Sequence, residues 1–125
     1  MQRIISNQAP DAIGPYIHAT ESNGIIFTSG QIGLDPKTNK LVDGFENQTK
    51  QALTNLQNVL KTANSDFDHV LKTTIYLADI NDFSKINDIY KNYFNDSYPA
   101  RTAFEVANLP VNALIEIEAI AETTD

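Results

Sequence analysis

Two segments of this chain each carry a single apolar stripe at helical spacing, with a β-rich run between them. In the first, Phe45, Thr49, Ala52, Leu53, Leu56, Val59, Leu60 and Ala63 recur on one face of a helix. In the second, Phe83, Ile86, Ile89, Tyr90, Tyr93 and Phe94 do the same. Between them Val70–Leu77 is rich in β-branched and aromatic residues, the composition of a strand. A helix with one apolar stripe must bury it, and a sheet built from the rest of the chain is the surface on offer.

The remaining segments supply that sheet. Tyr16–Thr20 and Gly24–Ser29 flank the turn signal Ser22-Asn23-Gly24 and predict a hairpin. Asp35–Asn39 is a second turn region. Asp43-Gly44-Phe45-Glu46 has the Asp-x-x-Glu spacing of a capping box, and Asn81 or Asp82 can cap the second helix. Pro99 closes that segment, and Arg101–Ala107 and Leu114–Ala121 read as the last two strands. In the final strand Ile115, Ile117, Ala119 and Ala121 share one face, while Glu116 and Glu118 share the other. The tail Glu122–Asp125 is expected to fray. The expected architecture is a single α+β domain over 1–125, a mixed sheet with both helices on one face. The other face then needs cover, and a partner subunit can provide it.

Composition narrows the function. No cysteine is present, so thiol catalysis and Cys-ligated zinc are excluded. His18 and His69 lie far apart without ligand-spaced partners, so no His-based metal site is expected, and both read as ordinary surface or strand histidines. The formal charge is −7 and the nine Lys and Arg are scattered, which argues against a nucleic-acid partner. No apolar stretch is long enough for a membrane span, and Met1-Gln2-Arg3-Ile4 does not open like a signal peptide, so a cytoplasmic protein is expected.

A few residues stand out as chemistry. Arg101 follows Pro99-Ala100 and opens an apolar strand; its planar fork matches a carboxylate, or it serves as a surface arginine in an ordinary ion pair. Glu116, between Ile115 and Ile117, can orient water or move a proton, or is the polar side of a half-exposed strand. Glu118 competes for that role. A hairpin turning near Pro110 is expected to set Arg101 opposite Ile120, about four residues or ~13 Å from Glu116 along the strand. Gly14-Pro15-Tyr16 and Thr28-Ser29-Gly30-Gln31 either admit a ligand to the backbone or are turns.

Six pieces in order carry a resemblance. Ile13-Gly14-Pro15-Tyr16, Phe27–Ile32, Thr49–Leu56, Asn81-Asp82-Phe83, Pro99-Ala100-Arg101 and Ile115–Ala121 are together similar to the RidA (YjgF-type) family of enamine/imine deaminases, from about Asn7 to Ala121. The resemblance implies a chorismate-mutase-like α+β fold and a homotrimer with ligand clefts between subunits. It implies hydrolysis of 2-imino and enamine acids, such as 2-iminopropanoate and its tautomer 2-aminoacrylate, to 2-keto acids and ammonia, with no cofactor. Carried over residue by residue, Arg101 holds the substrate carboxylate. Glu116 positions the attacking water, aided by the backbone carbonyl of Ala103. Tyr16, Ser29, Gly30 and Asn87 line the cleft.

This chain departs from the family in having Ala103 where many bacterial members have Cys, and Gly33 where many members have Pro. It also has its own loop, Asn95–Tyr98. A rival reading is a non-catalytic 2-keto acid sensor using the same cleft. An RNA-acting protein fits the charge poorly. Chorismate-mutase chemistry on a dianion would need a second cation beside Arg101, and fold alone is weak warrant for it.

Overall fold

The structure is a computed structural model describing residues 1–125. In chain order it contains β1 (Gln2–Ile4), β2 (Ala19–Ser22), β3 (Ile25–Thr28), β4 (Gln31–Ile32), β5 (Leu34–Asp35) and β6 (Lys40–Leu41). Helix α1 (Phe45–Thr62), β7 (Val70–Leu77), helix α2 (Phe83–Phe94), β8 (Ala100–Glu105) and β9 (Ile115–Glu122) follow. The main sheet runs β1-β2-β3-β9-β7-β8, with β4 also paired to β9, and β5 and β6 form a separate small hairpin.

Both helices pack on one face of this sheet. The α1 stripe is buried throughout, as are Ile86, Ile89, Tyr90 and Phe94 of α2, and all but the polar Thr49 join Ile75, Ile115, Ile117 and Ala121 in one core. Two members of the α2 stripe are not fully buried: Tyr93 is half-buried against the core, and Phe83 is exposed. Residues 115, 117, 119 and 121 of β9 are buried, as the alternation predicts.

Several local expectations are corrected. The first hairpin is shorter than expected, beginning at Ala19; Asn23 and Gly24 turn it with φ of 53° and 80°, the left-handed pair a tight hairpin asks for. The capping box does not form. Gly44 takes the N-cap at φ 85°, ψ 151°, a conformation that favours glycine, so Asp43 lies one residue outside. Asp79, not Asn81 or Asp82, supplies a capping carboxylate, accepting from the Asn81 N–H at the short turn before α2. The tail is tied rather than frayed: β9 continues through Glu122, Thr123 N–H donates to the Gly24 carbonyl, and Thr124 N–H to that of Asn64.

The expected pairing of the last two strands is also overturned. β8 runs parallel to β7, and β7 separates it from β9. The segment β7-α2-β8 is a crossover unit in which the helix carries the chain back to begin a parallel strand. The crossover places β8 at the sheet edge, so half of its backbone groups lack a strand partner within the chain.

Candidate active site

Cross-strand partners share a face, and this sorts the predicted residues into two groups. Arg101 is level with Thr73, which is level with Ala119; Ala103 is level with Ile75 and Ile117. These are helix-side positions. Glu116 is level with Tyr76 and Ile32, and its side chain therefore leaves by the opposite face.

On the helix side, the Arg101 guanidinium carbon lies 5.0 Å from the Tyr90 ring centre and 5.3 Å from that of Phe83. Stacking occupies the flat faces of the guanidinium and leaves its N–H edge for a ligand. Neither of the chain's two ion pairs involves Arg101. Asn87, Lys91, Tyr98 and Pro99 complete the cleft around it. Tyr90 is held by a 2.7 Å hydrogen bond between its hydroxyl and that of Thr73, so the platform under the arginine is fixed. Burial raises the Tyr90 phenol, with Thr73 and the nearby Arg101 charge opposing.

On the open face, Glu116 lies in a second cleft with Tyr16, Gly30, Gln31 and the segment Pro10–Ile13. The strand opposite it is bulged. Phe27 pairs with Ile120 but Gln31 pairs with Ile117, so one extra residue sits between β3 and β4. That bulge lets Gly30 lie directly against the carboxylate; a Cβ at Gly30 would come within 2.6 Å of Glu116 Oε2. Ser29 turns away, donating its hydroxyl to the Ile17 carbonyl at 2.5 Å, and so braces the chain behind Tyr16. Burial raises the Glu116 carboxyl above the usual carboxylate range, and the Glu118 charge adds to it. Glu118 itself accepts the Tyr76 hydroxyl at 2.8 Å, which pushes that phenol up to about 12.

The structure thus brings Tyr16, Gly30 and Glu116 together, and Arg101 with Asn87, but not one group with the other. Sequence reasoning missed three participants. His18, expected as an ordinary surface or strand residue, is buried at 3 % exposure and lines the Glu116 cleft. Asn55 is fully buried and donates to the Ile32 and Leu34 carbonyls at 3.1 and 2.9 Å, tying β4 and β5 to α1. Lys91 adds a second cation beside Arg101. Gly33 is explained by contact: a Cβ there would lie 2.7 Å from Gln48 Cα, backbone that cannot step aside. No group of three or more His, Asp or Glu is placed to hold a metal, and no helix is long and apolar enough to cross a membrane.

A family described as Endoribonuclease L-PSP matches residues 6–123. The chain belongs to that family, the YjgF/RidA family. A protein of the conserved Rid family from Yersinia pestis superposes with a TM-score of 0.94 at 46 % identity, covering 98 % of both chains. A Capra hircus relative named 2-iminobutanoate/2-iminopropanoate deaminase is 53 % identical over 97 % of this chain and 90 % of its own. The Homo sapiens protein of the same name is 51 % identical over the same shares. The mixed α+β architecture with two helices on the sheet is the fold of the YjgF/RidA family's solved structures.

Proposed function

We propose that this protein is an imine deaminase, hydrolysing 2-imino acids of the 2-iminobutanoate and 2-iminopropanoate kind to 2-keto acids and ammonia. Relatives more than half identical over nearly the whole chain carry that name. The observation that carries the reading is Arg101, a guanidinium stacked on Tyr90 and Phe83 with its N–H edge free for a carboxylate.

The chemistry asks little of the protein. Water adds to the C=N carbon, the resulting amino alcohol collapses, and ammonia leaves as the C=O forms. Holding the acid and aiming one water can supply several kcal/mol of the barrier. Arg101 anchors the carboxylate and Asn87 lines the same cleft. Glu116 takes the proton from the attacking water and returns it to the departing nitrogen. A carboxyl raised by burial is better matched to both transfers than an ordinary one. Tyr16 and Gly30 shape the space before it, and the Ala103 carbonyl assists with the water.

Arg101 and Glu116 leave opposite faces of one sheet, two strands apart and three residues out of level. That is roughly 10 Å across and roughly 10 Å along, so a three- or four-carbon acid cannot reach both within one chain. The reading therefore requires a second copy. In a homotrimer each cleft takes Arg101 from one subunit and Glu116 from its neighbour. RNA cleavage is not favoured, because a −7 chain offers only Lys91 beside Arg101 for phosphates.

A pyridoxal-phosphate threonine dehydratase fed serine generates the imine, and keto-acid release is followed with and without this protein. Acceleration that falls at least about 100-fold in Arg101→Ala is the expected result, given the loss of a charged anchor. A folded protein that binds keto acids without accelerating their release would instead be a sensor.

A further inference from the structure

The segment Ile5–Ile17 is almost free of regular structure, yet Pro10, Asp11, Ala12, Ile13 and Tyr16 form the wall facing Glu116. Its backbone bonds little to itself. Its one internal backbone hydrogen bond runs from Tyr16 N–H to the Gly14 carbonyl. The far end is braced where Ser29 meets Ile17. At the near end Asn58 Nδ2 donates to the Gln8 carbonyl at 3.1 Å and Thr62 Oγ1 to Ser6 Oγ at 2.9 Å, and one buried ring joins Ser6 to Pro10. His18 Nδ1 accepts the Ser6 N–H at 2.9 Å, and Nε2 lies 2.7 Å from the Pro10 carbonyl oxygen. A backbone N–H can only donate and a carbonyl can only accept, so the ring carries its proton on Nε2.

We infer that His18 is a positioning residue for Glu116: its imidazole clasps Ser6 to Pro10 and so sets the Pro10–Tyr16 wall that encloses the carboxylate. This rests on the reading of Glu116 as the group that aims water. The bland alternative is a core histidine that fills space with its polar atoms satisfied. The two differ in what the wall does to catalysis. A purely structural ring affects stability; a clasp affects the placement of water while the carboxylate anchor, Arg101, stays on the other cleft wall. Loss of the clasp should therefore lower kcat and leave KM nearly unchanged.

Three measurements decide it. Long-range 15N–1H correlation on the wild-type protein should find the His18 proton on Nε2; a proton on Nδ1 overturns the clasp without any variant. His18→Phe keeps the ring volume and loses both hydrogen bonds, whereas His18→Gln offers one acceptor oxygen and one N–H donor at similar reach. The Phe variant should melt cooperatively, exchange its Ser6–Tyr16 amides faster than wild type, and lose about ten-fold in kcat, as for one or two lost buried hydrogen bonds. His18→Gln should restore both exchange protection and kcat. Unchanged exchange in His18→Phe refutes the clasp, and faster exchange with unchanged kcat refutes its role in turnover. If His18→Phe does not fold, His18→Gln carries the test: protected amides with wild-type kcat uphold the inference, and loss of either overturns it. A wild-type protein without turnover would instead remove the imine reading, while the exchange and tautomer measurements still decide the clasp.

Discussion

Glu116 owes its raised carboxyl to the residues that partly bury it and to the charge beside it. Gly30 covers one side at a distance no side chain would permit, and Glu118 stands two residues along on the same face. Burial is the larger cause of its raised carboxyl and Glu118 the smaller. The acid limb of the pH–rate profile should therefore lie above the range of an ordinary glutamate. Glu118→Gln should move that limb to lower pH without returning it fully, because burial remains. An unmoved limb would mean that Glu118 does not act on the titrating group. The stability consequence has a definite sign. A carboxyl raised in the folded state is fully accommodated below its unfolded value, and it costs stability as pH climbs through the folded one. Glu116→Gln should accordingly be more stable than wild type in mildly alkaline solution, and the difference should close in acid. Glu116 was legible in the sequence because strand alternation exposes a polar residue between two buried ones. His18 was not, because its burial depends on a segment with no periodicity folding back over it.

Elements with a strong period were the readable part. The α1 stripe, the whole of β7 and the inward face of β9 all fall where spacing placed them. What spacing could not show was which polar residues inside a helix are buried. Asn55 and Gln48 sit within α1 and are both buried; Asn55 binds the β4–β5 carbonyls and Gln48 accepts the Leu114 N–H at 2.9 Å. Asn55→Leu keeps the branched shape of the side chain but leaves the Ile32 and Leu34 carbonyls without donors. We expect a loss of about 2–4 kcal/mol in urea unfolding, from two buried groups left unsatisfied. A change below about 0.5 kcal/mol would show that those carbonyls find other donors. The misplaced β8 has a different cause. The hairpin expectation joined two neighbouring strands, although a strand, a helix and another strand in succession ask for a parallel pair. Reading β7-α2-β8 as that unit gives β8 its neighbour and direction; the face Arg101 takes is then set by the register that pairs it with Thr73.

At the scale of the whole molecule, one chain leaves its sheet half covered. The open face presents Phe27 at 52 % exposure and Phe104 at 43 %, with Tyr76 packed edge-on to Phe104 at 5.3 Å between ring centres. Exposed aromatic rings on a sheet face are suited to burial against another copy. The sequence hinted at this only through the need to cover a second face; which residues meet there depends on strand order, which periodicity does not encode. The division of Arg101 and Glu116 between faces makes the assembly testable by complementation. Arg101→Ala and Glu116→Ala proteins should each be inactive alone. Unfolded and refolded together in equal amounts, they assort at random, and a cleft is complete when its arginine comes from a Glu116→Ala copy and its glutamate from an Arg101→Ala copy. Each condition holds for half the copies, so about a quarter of wild-type activity should return. A single-chain site would recover nothing on mixing, since every chain would lack one of its two groups. Recovery near a quarter would place the reacting imine between two subunits, gripped by one and hydrolysed by the other.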